Sequence, residues 1–269
     1  MHHQPLILIT NDDGINSPGL HAVVEAVAGL GELLIMAPTH QQTGASRSYP
    51  TRIDKTIQAT TVPLNGRTQV AYTAEVSPAQ SVALAVRELA QRPIDLCISG
   101  INYGENIGSG TTISGTVGAA MEAASFRIPA MAVSLETPHE YHLSYSTEVD
   151  FLVAGHFTRY FAQEILTKGL PAGVDLLKID VPASATPQTG WRIATMSRQR
   201  YYQPAPAEKD REDKSRSFNY RVHIDRDILE PGSDIHTLAV ERLVAVVPMT
   251  IDVTASVPLP EIANFFNQS

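Results

Sequence analysis

Leu6-Ile7-Leu8-Ile9-Thr10-Asn11-Asp12-Asp13-Gly14 is the stretch from which the architecture follows. Its first five residues favour β-structure and show no polar face, the pattern of a strand covered on both sides. Such a strand belongs to a mostly parallel sheet lying between two helical layers. The run ends in two carboxylates and a glycine, so both acids can face one ligand only if the chain turns there, and Gly14 permits that turn. Residues 18–30 follow with Leu20, Val23, Val24, Val27 and Leu30 at helical spacing.

The alternation continues outward from that first unit. Residues 33–37 make the next strand, closed by Pro38, and residues 77–90 an amphipathic helix with Pro78 near its start, where a missing amide does no harm. Residues 94–99, 115–124 and 130–135 read as strand, helix and strand; 151–166 as a helix; 174–181 as a strand. Strands separated by helices imply βαβ units, so the fold class is α/β. Past residue 186 the pattern changes. Residues 191–200 and 217–224 look like strands flanking the charged, proline-containing stretch 204–216, of which 208–216 is expected to be a mobile loop. Residues 240–247 and 251–253 predict further short strands, and 262–267 a final short helix. The expected organisation is a catalytic core over residues 1–185 and a β-rich extension over 186–269 that is not an independent domain and serves oligomer contacts.

Bulk composition narrows the function classes. In 269 residues, 43% are hydrophobic and 18% charged, which suits a compact enzyme and opposes intrinsic disorder. The net charge of −8 argues against a nucleic-acid polymer as partner, although a bound cation can reverse the local field for a small phosphorylated substrate. The lone Cys97, within an apolar strand, reads as a small core residue. No basic segment followed by a long apolar run is present, so no signal peptide and no membrane span are expected and the cytoplasm is the default.

In such sheets ligands bind at the carboxyl ends of strands, which singles out the loops after Thr10, Ala37 and Ser99. Asp12 and Asp13 in the first repel one another unless a cation lies between them, and hard oxygen ligands suit Mg²⁺ or Mn²⁺, with Ca²⁺ as a further fit. Taken alone, Asn11–Gly14 is equally an Asx turn. The second loop, residues 37–46, offers Thr43 as a hydroxyl ligand, alone more simply a turn or capping group. The third, residues 100–108, offers Asn102 to a metal and Asn106 to a phosphoryl oxygen. Ser114-Gly115-Thr116 then opens a helix whose free amides form a natural anion site, or an ordinary N-cap. Carboxylates, amides, hydroxyls and a helix N-terminus at one sheet edge fit metal-assisted attack of water on a phosphate ester.

These blocks resemble the SurE family of survival-protein nucleotidases: Asn11-Asp12-Asp13-Gly14; Ala37-Pro38 with Thr43-Gly44-Ala45-Ser46; Ser99-Gly100-Ile101-Asn102 with Gly104 and Asn106; and Ser114-Gly115-Thr116-Val117. The resemblance implies a Rossmann-like three-layer sandwich with a smaller β extension, assembled as a homodimer or homotetramer through exchanged C-terminal elements. It implies hydrolysis of nucleoside 5′- or 3′-monophosphates, with short polyphosphate as a further substrate, and one Mg²⁺ or Mn²⁺ per subunit. Carried over by position, Asp12, Asp13, Thr43 and Asn102 would hold the metal, and Asn106, Ser114, Gly115 and Thr116 would surround the phosphate. Thr43 stands where the family more often has Ser, Tyr103 where a small residue is usual, and Ile113 where a polar or aromatic one is common. A covalent aspartyl-phosphate enzyme would want Asp-x-Asp, and a dinucleotide oxidoreductase a G-x-G-x-x-G turn; neither is present. A non-catalytic nucleotide sensor on the same fold is the competing class.

Overall fold

The computed structural model describes residues 4–51, 56–205 and 220–267. Strand β1 (Leu6–Thr10) is buried along its whole length, as an apolar run with no polar face requires. It pairs in parallel with β2 (Glu32–Pro38) on one side and β5 (Leu96–Tyr103) on the other. Between β1 and β2 lies helix α1 (Pro18–Val27), ended by Gly29 at φ 82° rather than running on to residue 30. Strands β6 (Ala130–Leu135) and β7 (Leu176–Val181) extend the parallel sheet beyond β5.

Alternate residues of β1 feed two different cores. Ile7 and Ile9 pack with α1 and with α4 (Leu152–Lys168) through Leu20, Val23, Val27, Phe157 and Phe161. Leu6 and Leu8 pack with α2 (Pro78–Leu84) and α3 (Gly115–Ser125) through Val82, Val117, Ala119 and Ala123. The result is the three-layer, Rossmann-like α/β sandwich that an all-apolar central strand demands. Cys97 sits fully buried near the start of β5, and burial pushes its thiol up to about 12.

A hairpin that the sequence pattern left unassigned occupies one edge. Strands β3 (Gln58–Leu64) and β4 (Arg67–Ala74) are antiparallel and joined by Asn65-Gly66, both at positive φ as a two-residue hairpin turn needs. At the other edge, β11 (Val244–Met249) pairs antiparallel with β7, and β8 (Trp191–Ile193) lies parallel to β11. Strand order across the nine-stranded sheet is β3-β4-β2-β1-β5-β6-β7-β11-β8. The direction of winding therefore reverses between β1 and β5, where a crevice opens beyond the strand ends.

Strands β9 (Tyr202–Pro204) and β10 (Tyr220–Val222) form a separate hairpin, so the strand expected over 217–224 pairs with residues 202–204 and not with 191–200. The expected mobile loop 208–216 lies outside the described residues. Several expectations shift. Strand β5, expected over 94–99, runs on to Tyr103 and takes Asn102 out of the expected loop, and β11, expected from residue 240, starts at Val244 after a helical turn over His236–Val240. The strand predicted over 191–200 stops at Ile193, because Thr195 and Ser197 turn aside to bond the main chain and carboxylate of Asp234. Residues 251–253 are an exposed turn, with Asp252 capping the Thr254 amide. The final helix α5 starts earlier, at Leu259–Asn267, and leaves Leu259, Ile262, Phe265 and Phe266 exposed. Among the described residues no helix is long and apolar enough to cross a membrane.

Candidate functional site

The turn after β1 makes the acidic pair convergent. Asn11 closes an Asx turn, donating from its amide to the Gly14 carbonyl at 3.1 Å and accepting the Gly14 amide at 3.0 Å, with Gly14 at φ 99°. Turn and ligand readings of this segment are therefore compatible, because Asn11 makes the turn and leaves both aspartates for the crevice. Asp12 and Asp13 are 4% and 2% exposed, an unusual burial for two adjacent carboxylates. Burial raises both their pKa values, and the Asp12 charge raises that of Asp13 further.

Each carboxylate is seated by groups from other elements. The Thr116 hydroxyl donates to Asp12 Oδ1 at 2.5 Å, and the main-chain amides of Thr116 and Gly115 favour the charged form. Gly115 is necessary for this seat: a β-carbon there would lie 2.7 Å from Asp12 Cβ and Oδ2. Asp13 Oδ1 accepts from Gln41 Nε2 at 2.9 Å, and the same amide reaches the His142 carbonyl at 2.7 Å. The Tyr145 hydroxyl donates to the Asp13 carbonyl at 2.7 Å.

An open cleft brings together Asp12, Asp13, Thr43, Asn102, Asn106 and Ser114. Asn102 spends its amide nitrogen on the carbonyls of Gly104 at 2.6 Å and Tyr103 at 3.2 Å, so its side-chain oxygen is the atom left for a ligand. Asn106 donates its amide to Ser134 Oγ at 2.9 Å and its main-chain N–H to Asp180 Oδ1 at 2.7 Å. Ser114 is the N-cap of α3, accepting the Val117 amide at 3.2 Å. Gly115 and the fully buried Thr116, expected at the phosphate, stand behind Asp12 instead, because the Thr116 hydroxyl is committed to that carboxylate. Among the described residues no three His, Cys, Asp or Glu side chains group as a metal cage, and the oxygen set here mixes carboxylate, hydroxyl and amide.

The far wall escaped sequence reasoning. His142, Arg200, Tyr202, Pro204 and Tyr220 line the same cleft, the last three from the β9–β10 hairpin. His142 donates from Nε2 to the Thr137 carbonyl at 3.1 Å and accepts the Tyr220 hydroxyl at Nδ1 at 2.7 Å, while burial lowers its pKa. It is thus a neutral imidazole with an assigned tautomer. No local spacing marks these residues, since they meet only through the fold. Gln41 lay within a loop already singled out as polar.

Glu105 is the third buried acid of the cleft, 4% exposed, with Oε2 lacking a well-formed hydrogen bond although the Tyr201 and Tyr202 phenols lie against the carboxyl. Burial pushes it up to about 7 from an ordinary 4.5. The folded chain holds this proton more tightly than the unfolded one, so the associated stability is present at low pH and is lost as pH rises through about 7. The loss reaches roughly 3 kcal/mol at its fullest. Glu105→Gln, neutral at every pH, is expected to flatten that slope and to be the more stable protein at about pH 8.5, as read by denaturant melts at that pH and near pH 5. Parallel slopes for the two proteins would show that Glu105 titrates alike in both states.

Residues 7–203 match the family model described as survival protein SurE. A 5′-nucleotidase SurE from Thermococcus kodakarensis is 39% identical over 257 residues, covering 95% of this chain and 96% of the relative. One from Archaeoglobus fulgidus is 36% identical over 262 residues, covering 97% of each. The crystal structure of the SurE protein from Aquifex aeolicus superposes with a TM-score of 0.75 at 25% identity, covering 97% of this chain and all of the other. With its four sequence blocks gathered at one crevice, a family model matching residues 7–203 and relatives covering 95% or more of its length, the chain belongs to the SurE family.

Proposed function

We propose that this protein is a hydrolase of nucleoside monophosphates, a 5′-nucleotidase with activity on 3′-monophosphates and short polyphosphate as finer possibilities for the same site. That the relatives are 5′-nucleotidases supports the reaction, and the observation that carries it is the buried Asp12–Asp13 pair facing one cleft with Thr43, Asn102, Asn106 and Ser114. Two adjacent carboxylates, each at most 4% exposed and both driven toward their protonated forms, fit a divalent cation as their partner. Asp12, Asp13, Thr43 and the Asn102 oxygen would hold Mg²⁺ or Mn²⁺, an all-oxygen set of the kind those ions take. When bound, such a cation supplies charge for the phosphoryl oxygens and a water of lowered pKa.

The chain's own groups do the remaining work. Asp12 is the proposed base, its carboxylate anchored at Oδ1 by Thr116 and facing the cleft where the attacking water would sit. Gln41 keeps Asp13 in one rotamer. Asn106, through its second amide hydrogen, and Ser114, through its hydroxyl, bind the phosphoryl oxygens at the N-terminus of α3, with Gly115 and Thr116 setting that terminus against Asp12. The aromatic wall of Tyr202 and Tyr220 closes the cleft opposite and gives the nucleoside an apolar face. The exposed apolar side of α5 supports a homodimer or homotetramer, in which a second copy covers it.

Phosphate release from a panel of nucleoside monophosphates, p-nitrophenyl phosphate and short polyphosphate tests the proposal. Release is expected to disappear in EDTA and to return with Mg²⁺ or Mn²⁺, with a preference among nucleotides. Folded protein that binds nucleotide in a metal-dependent way but releases nothing with either ion would instead be a nucleotide sensor.

A further inference from the structure

Strand β7 carries a lysine with no exposed surface, Lys178, which the site chemistry described above does not use. Its ammonium lies 2.6 Å from Asp180 Oδ2 and 3.1 Å from Asp234 Oδ2, and both acids are fully buried. One cation with two carboxylates leaves a net negative charge in the core, an expensive arrangement unless the remaining oxygens are used. They are. Asp180 Oδ1 accepts the Asn106 amide at 2.7 Å, and Asp234 accepts the amides of Gly108 at 3.0 Å, Ser197 at 2.9 Å and Ile235 at 2.8 Å.

Two consequences follow for the cleft. The main-chain amides of Asn106 and Gly108 point at these carboxylates and are not available to an anion. And Asn106 is gripped twice, at its main chain by Asp180 and at its side chain by Ser134, residues that face one another in register on β7 and β6. One amide hydrogen of Asn106 is thereby fixed on Ser134, and the direction of the other is set.

We propose that Asp180 and Ser134 are positioning residues that aim the Asn106 side chain at the substrate phosphate, with Lys178 holding Asp180 in place. The inference rests on the role proposed above for Asn106. Lys178 ties the aim of that side chain to the packed interior of the sheet, and Asp234 extends the tie to the segment at Ser197. A group that binds the phosphate alike in ground and transition states, once misaimed, raises KM and leaves kcat nearly unchanged.

The test compares Ser134→Ala, Asp180→Ala and Asp180→Asn in the full-length, metal-loaded protein. Both Asp180 variants remove the same charge and leave Lys178 with Asp234, but only the asparagine keeps an oxygen for the Asn106 amide. Asp180→Ala and Ser134→Ala are expected to raise KM for a nucleoside monophosphate about tenfold, with kcat changed far less, while Asp180→Asn stays closer to wild type. The dissociation constant of inorganic phosphate, read from the thermal shift it induces, should rise in parallel. Wild-type KM and phosphate affinity in both Ser134→Ala and Asp180→Ala, whatever their melting temperatures, would overturn the proposal. Should Asp180→Ala not fold, Ser134→Ala decides by itself, because it removes only a hydroxyl. A wild-type protein that releases no phosphate would fail the reading under Proposed function; an active wild type with unchanged variants would fail only this one.

Discussion

Asp12→Asn is expected to lower kcat by about a thousandfold and to weaken cation binding, while the protein stays folded. The carboxamide has the shape of the carboxylate and keeps an oxygen for the Thr116 hydroxyl, so the seat at the start of α3 survives. What disappears is the negative charge and the proton acceptor. Because burial already disfavours the charged form, the cation-free variant should melt no lower than cation-free wild type. Turnover at saturating Mn²⁺, calorimetric titration of the ion and thermal melts separate these effects. Near-normal turnover would remove Asp12 from the reaction.

Gly115→Ala should do comparable damage by geometry alone. Gly115 does not have a positive φ, and alanine favours a helix over glycine, so the local backbone accepts the change. The new methyl, however, would fall 2.7 Å from Asp12 Oδ2, far inside contact distance, and must push the carboxylate away. A displacement of this kind is expected to lower kcat/KM by about a hundredfold with secondary structure intact. The check is kcat/KM beside a circular dichroism spectrum. Wild-type kcat/KM in a folded variant would mean that Asp12 has room to move without consequence.

The sheet was legible where one residue type had one reason to be there. Leu6 to Thr10 has no polar face, so it had to be central, and the crevice beside it follows from the chain order. The hairpin β3–β4 was not read because an edge needs little apolar content: most of its residues are exposed or half-buried, and only Asn65-Gly66 announces it. Six of the eight expected site residues reached the cleft wall, because the ends of β1, β2 and β5 and the start of α3 meet at one edge of the sheet. The fully buried Thr116 was placed wrongly in depth, since helix periodicity locates a hydroxyl at an N-terminus without saying which acceptor claims it. Lys178 was only half legible: Asp180 stands two positions on, but Asp234, the second acid that closes the buried cluster, is 56 positions away.

Cys97 gives the molecule an internal reporter. Its sulfur sits on the strand beside the winding reversal, paired through its backbone with β1 at Leu8 and with β6 at Ala130, and its thiol is held protonated up to about pH 12. A thiolate is the reactive species, so an alkylating reagent finds nothing to attack while those strands and the helices packed over them stay together. The rate at which the sole thiol is modified therefore reports the opening of this part of the core, whether the strands part or α2 and α3 lift from the sheet, without any engineered label. Substrate or metal that slows this modification would be measured as binding energy delivered to this part of the core.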